Sequence, residues 1–215
     1  VFAYDSGGCN CPKCRPWVTN GYPKAAGRLV RMVKEKYPAT KAVLVTWAMS
    51  PKEMTDLNQA MITKPADWEW ADSVLPTLYV STGTKPSHPS YNNSHLSAVT
   101  TNRPLLVLPR SGTHDMRPWG GFGANPSPEG CQAAWIAVKQ RAHGGWPYSE
   151  VIADDMNKAI FTQFYWSPDR PVSEIVREYV DDGISGDATY KRFDFLKMLD
   201  DSSRGDFKYI LCWDQ

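Results

Sequence analysis

Short apolar runs recur along the chain with helix-spaced patterns between them, and this alternation restricts the fold more than any other feature. Parallel strands cannot be joined by tight hairpins and need long crossovers, usually helical. Alternating strand and helix units therefore predict an α/β fold with a parallel sheet. The predicted strands are Val1 to Tyr4, Ala42 to Trp47, Val74 to Val80, Leu105 to Leu108, Trp146 to Tyr148 and Tyr209 to Trp213. A first helix carries Ala26, Leu29, Val30, Val33 and Tyr37 at helical spacing, with Pro23 in its first turn and Pro38 closing it. A second opens at Ser127-Pro128, sets Cys131, Ala134, Trp135 and Val138 on one face, and ends at Gly144-Gly145. A third runs from Asp154 to Phe164, and a fourth, after Pro168, turns Val172, Ile175, Val176 and Tyr179 inward. Ser81 to Arg103 and Ser111 to Pro126 read as long loops.

Composition excludes some functions. Lys+Arg number 24 against 23 Asp+Glu, a net charge of +1, so no counterion-release drive toward nucleic acid exists. No apolar run approaches the roughly 18 residues that cross a bilayer, so no membrane partner is expected. The 9 Trp and 10 Tyr are the unusual counts, because aromatic faces beside polar groups line wet, sugar-binding clefts. Val1 is preceded by no initiator Met, and Trp213-Asp214-Gln215 follows directly on a strand-like run, so the chain reads as part of a longer protein.

Three constellations could carry chemistry. Asp5 ends the first strand and is followed by Ser6-Gly7-Gly8; its carboxylate either points into a barrel mouth or caps the turn. Glu150 ends a later strand in Tyr148-Ser149-Glu150, just before Asp154-Asp155, which read as a helix cap. Two carboxylates across a cleft lined by Trp47, Tyr79, Trp119, Trp146 and Tyr148 would suit glycoside hydrolysis, one as acid and the other as nucleophile or base. His114, before the Gly-rich stretch around Trp119, is a further candidate ligand contact. That stretch follows no strand and opens no helix, which argues against a phosphate loop. Cys9, Cys11 and Cys14 form a C-x-C-x2-C cluster that could hold a structural zinc, form one disulfide, or remain three thiols; no fourth ligand is evident nearby.

Residues Tyr4-Asp5-Ser6-Gly7-Gly8-Cys9-Asn10-Cys11-Pro12-Lys13-Cys14-Arg15-Pro16-Trp17, Pro118 to Pro126 and Gly144 to Glu150 together resemble a family of bacterial proteins related to glycoside-hydrolase (β/α)8 barrels. The resemblance covers about residues 1–180 and implies an exported, carbohydrate-active barrel of which a portion is present here. The chain departs from the pattern at Pro109-Arg110-Ser111, where an acidic residue is expected.

From Val176 a second resemblance begins, carried by Val176 to Asp187, Lys191 to Leu199 and Tyr209 to Asp214. It is to the catalytic domain of a serine recombinase of the resolvase/invertase type. It implies that the first segment is a strand and turn, that Arg192 opens a helix at a scissile phosphate, and that the protein is cytoplasmic with DNA as partner. The nucleophilic serine and the Asp-Arg motif of that family would fall outside this chain.

The expected organisation is thus α/β, with a partial (β/α) barrel over residues 1–178 and a short recombinase-like α/β fragment over 179–215. The expected partner is carbohydrate. DNA strand exchange and an inactive fusion fragment are the alternatives.

Overall fold

The computed structural model describes residues 1, 8–47, 49–80, 93, 96, 99, 103–112, 126–149 and 154–182. Within them the chain is α/β, a parallel sheet whose strands alternate with helices. Six short strands form the sheet: β1 (Val43–Val45), β2 (Ser73–Leu75), β3 (Thr77–Tyr79), β4 (Leu105–Gly112), β5 (Ala142–Gly145) and β6 (Tyr148–Ser149). The helices are α1 (Tyr22–Lys36), α2 (Pro51–Thr63), α3 (Pro128–Ile136), α4 (Asp155–Trp166) and α5 (Val172–Asp182).

Every strand pairing is parallel. β2 and β3 are two halves of one line broken at Pro76, and both lie along β4. β5 and β6 form a second broken line on the other side of β4. The Val1 nitrogen donates to Val43 O (2.7 Å) and Val45 N–H donates to Val1 O (2.9 Å), the bonding of a residue in parallel register with β1. Spatial order therefore follows chain order without reversal, unlike a doubly wound sheet, which changes direction at a switch point.

Period-two alternation sorts the side chains into two faces. Leu44, Val74 and Leu105 pack with Ala26 and Val30 of α1 and with Met54, Leu57 and Met61 of α2. Leu78, Val80 and Val107 pack with Cys131 and Trp135 of α3, Phe161 and Phe164 of α4, and Ile175 of α5. Leu105 and Val107 share one face of β4, so all five helices cover the same side of the sheet. The opposite face carries Val45, Leu75 and Leu108, with Val43, Trp47, Leu106 and Tyr148 around them.

Several sequence expectations change. The aromatic residues serve the core as much as any cleft: Trp68, Trp70 and Trp135 are buried, and Tyr22 meets Trp68 and Trp70 edge-on. On α1 the buried side is Tyr22, Ala26, Gly27 and Val30, while Leu29, Val33 and Tyr37 face outward. The cause is Trp70. A Cβ on Gly27 would lie 2.9 Å from its ring, so only the small-residue side of α1 can approach that indole. The second predicted helix stops at Ile136, and Gly144-Gly145 lies in a strand instead of ending it. That strand exists because Gly145 has no side chain: a Cβ there would sit 2.0 Å from Val107 O. The strand expected at Trp146 to Tyr148 divides around Trp146-Pro147.

Val172–Asp182 is one helix. Residues 176–182 are therefore helical, where the recombinase resemblance implies a strand and turn. Apolar Val172, Ile175 and Val176 recur at helical spacing, and Arg170 pairs with Glu174 and Glu178. Residues 183–215, including Arg192 and the strand expected at Tyr209 to Trp213, lie outside the described residues.

Candidate functional site

Catalytic and binding groups of parallel α/β folds gather at the carboxyl ends of the strands. At that end of the face that none of the described helices covers, Trp47 follows β1, Tyr79 ends β3, Arg110 lies near the end of β4, and Tyr148 opens β6. Tyr79, Arg110 and Tyr148 form one row across three strand lines, because Tyr79 is in register with Arg110 and Arg110 with Tyr148. Asn93 fixes the row's edge, donating to Tyr79 O at 2.9 Å and accepting from Tyr79 N–H at 2.8 Å.

The rings converge. Tyr148 meets Trp47 edge-on with centroids 5.2 Å apart, and the Arg110 guanidinium lies 5.1 Å from the Trp47 ring centre. Two strand lines separate β1 from β6. In a flat sheet these Cα atoms would stand ~14 Å apart, at about 4.8 Å per strand step, with side chains projecting in parallel. Contact between the rings therefore brings the two outer strand lines together through their side chains. The result is an aromatic cluster with a cation stacked on an indole.

Among the sequence-predicted site residues, Trp47, Tyr79 and Tyr148 are thus brought to one rim. Trp146 is 58% exposed at the break between β5 and β6, outside the Trp47–Tyr148 ring pair. Asp5, His114, Trp119 and Glu150 lie outside the described residues. Arg110 is a site residue that sequence reading noted only as a departure from a family pattern. Its signal was there: Leu106, Leu108 and Arg110 alternate at period two, as do Val43, Val45 and Trp47.

Behind the rim, on the helix side of β4, lies a second polar group. Asp154 is 1% exposed. Its carboxylate accepts hydrogen bonds from Ser111 Oγ and from Asn157 Nδ2, each at 2.6 Å. Asn157 Oδ1 in turn accepts Ser127 N–H at 3.0 Å and the Cys131 thiol at 3.4 Å. Desolvation pushes the Asp154 carboxyl above its ordinary value, against the opposing bonds from Ser111, Asn157 and Ser149. Asp154 occupies the N-cap position of α4, yet its side chain makes no capping bond. The helix-cap role expected from sequence is replaced by a tie between α4 and the end of β4.

The three cysteines also come together. Cys9, Cys11 and Cys14 are free thiols, the first two exposed, with sulfurs within 4.8 Å of one another. Hydrogen bonds from the Cys9 and Cys14 thiols, then from the backbone N–H groups of Cys14 and Lys13, lower the Cys11 pKa. Cys14, donating to Cys11 and next to Cys9, is pushed up to about 11. These residues could hold a metal ion.

Among the described residues no helix is long and apolar enough to cross a membrane. No protein-family model matches the chain, nor does any curated protein or solved structure.

Proposed function

We propose that the aromatic rim binds carbohydrate and that the protein is glycoside-hydrolase-like, built on part of a (β/α) barrel. One observation carries this reading: Trp47, Arg110 and Tyr148 meet at the carboxyl ends of parallel strands, on the face that none of the described helices covers. Sugars present apolar C–H faces and equatorial hydroxyls. An indole face and a tyrosine edge accept the first, and a guanidinium donates to the second. Sequential strand order and the packing of the described helices on one face agree with a barrel wall, whose open side becomes the lined interior.

In this reading Asp5 and Glu150 are the carboxylates of hydrolysis. Glu150 directly follows Ser149, the last residue of β6, and Asp5 follows the strand position of Val1 by four residues. One protonates the leaving glycosidic oxygen, and the other attacks the anomeric carbon or activates water. Arg110, occupying the position where an acid was expected, would orient a hydroxyl or carboxylate of the sugar.

The test is cleavage of a panel of aryl glycosides and oligosaccharides by the wild-type chain, Asp5→Asn, Glu150→Gln and Trp47→Ala. The reading expects cleavage by wild type, its loss in both carboxylate variants with unchanged circular dichroism, and weakened substrate binding in Trp47→Ala. Cleavage undiminished in Asp5→Asn and Glu150→Gln would remove both from the mechanism, and absence of any saccharide binding by wild type would overturn the proposal.

A further inference from the structure

The cysteine loop sits apart from the aromatic rim and has a chemistry of its own. Cys9, Cys11 and Cys14 fall within six residues, and their sulfurs lie within 4.8 Å of one another. A tetrahedral zinc with bonds of about 2.3 Å holds its sulfurs ~3.8 Å apart, so closing on an ion asks for movements of roughly an ångström at most.

The loop is held in this shape by contacts that need no ion. Cys14 N–H and Arg15 N–H both donate to Cys11 O, at 3.0 and 3.2 Å, making a tight turn. Asn20 Nδ2 donates to Lys13 O at 3.0 Å and to Arg15 O at 2.9 Å, while Gly21 N–H donates to Cys14 O at 3.1 Å. Trp17 is gripped between Gly8 and Gly21, where an added Cβ would lie 2.2 and 2.5 Å from the indole. Val18 anchors the far end in the core. Three sulfurs are thus preorganised by an asparagine clamp and a tryptophan wedge.

We infer that Cys9, Cys11 and Cys14 bind one thiophilic divalent ion of the zinc class, the fourth position being open to water. Three adjacent thiolates repel one another, and a divalent cation reverses that cost. Binding breaks three S–H bonds, forms three metal–sulfur bonds and releases three protons to solvent. The complex carries one net negative charge, and Lys13 and Arg15 of the same loop supply the opposite sign. The ion would fasten the loop to the start of α1, through the bonds that Asn20 and Gly21 already make to it, and take no part in chemistry.

The test titrates the reduced, chelator-stripped full chain with Co²⁺ and then Zn²⁺, followed by absorption and by native mass spectrometry. One ion per chain is expected, with sulfur-to-cobalt charge transfer and the intense visible bands of tetrahedral cobalt. Bound Zn²⁺ should shield three thiols from alkylation. Cys9→Ser, Cys11→Ser and Cys14→Ser should each lose at least tenfold in affinity, whereas Cys131→Ala and Cys212→Ser should bind as wild type does. Cobalt spectra without sulfur charge transfer, three thiols alkylated equally with and without Zn²⁺, or a disulfide among the three in protein prepared with Zn²⁺ would each overturn the assignment.

Discussion

The two faces of the sheet do different work. On the covered face the side chains are large, apolar and sealed: Trp68, Trp135, Phe161 and Phe164 are essentially without solvent contact, and Trp135 stacks on Phe164 with an interplanar angle of 4°. On the opposite face the buried apolar residues, among those described, are Val45, Leu75 and Leu108, and toward the strand ends they give way to half-buried Trp47, Tyr79, Arg110 and Tyr148. Both faces are rich in aromatic rings, but the second sets a guanidinium over an indole and leaves its rings half-buried. Ring count does not separate core from cleft. The partner of each ring does.

The sharpest way to break this comparison is to truncate one ring on each face. Phe161→Ala removes a fully buried ring and should cost ~3–5 kcal/mol in denaturant unfolding. Trp47→Ala should cost no more than about 2 kcal/mol, the worth of one edge-on pair and one cation–π contact, while saccharide affinity falls at least tenfold. Equal destabilisation by the two would mean that Trp47 is a core residue.

Gly145→Ala probes how the faces are joined. Its Cβ would meet Val107 O at 2.0 Å and Tyr165 Oη at 2.6 Å, forcing β5 away from β4 at a cost of ~1–3 kcal/mol. An unchanged melting temperature would contradict that close approach.

Two carboxylates predict opposite responses to acid. For Asp154 the folded state favours the protonated form, so its contribution to stability is fully present below the ordinary value of 3.8 and is lost as pH rises through its raised folded value. Asp154→Asn should remove that loss and flatten the profile over this window. Asp72 is the reverse case: desolvation pushes its pKa up, but Ala42 N–H at 2.7 Å, Lys34 Nζ at 2.9 Å and Lys41 outweigh it and hold the carboxyl below 3.8. Its contribution is present above 3.8 and is lost as pH falls through its lowered value, so Asp72→Asn should blunt acid destabilisation. Urea midpoints measured across acid pH separate the two.

The smallest expected effect is at the start of α2. Ser50 and Glu53 form a reciprocal capping box, and Ser50→Ala should cost ~1 kcal/mol without touching saccharide binding. Lost binding in this variant would show that the rim depends on the covered side.

Much of the fold was legible because burial imposes a period. Val43, Val45 and Trp47, like Leu106, Leu108 and Arg110, alternate cleanly, so strand identity and face can be read together. Where the period is interrupted, reading fails for physical reasons. β5 runs Ala-His-Gly-Gly, a composition that signals a helix end, and is a strand because only glycine lets Val107 O approach. α2 shows its capping box in Ser50-Pro51-Lys52-Glu53, yet the apolar spacing predicts no helix between the strands at Ala42 to Trp47 and Val74 to Val80. On α1 Leu29, Met32 and Val33 lie outside, while the buried side presents Gly27 to the Trp70 indole, which a Cβ there would meet at 2.9 Å. Of the site, the aromatic rim was visible in the spacing, whereas the Ser111–Asp154–Asn157 tie depends on contacts 43 residues apart that no local pattern encodes.

The most direct test of the carbohydrate rim is fluorine NMR of the chain labelled with 5-fluorotryptophan. The Trp47 signal would be assigned by Trp47→Phe and followed during titration with a panel of hexose and pentose oligosaccharides. The account predicts a saturable shift of the Trp47 resonance by at least one saccharide, abolished in Arg110→Ala or Tyr148→Ala, with 91%-exposed Trp166 unmoved. A Trp47 signal that stays in place while Trp166 or no tryptophan responds would contradict it.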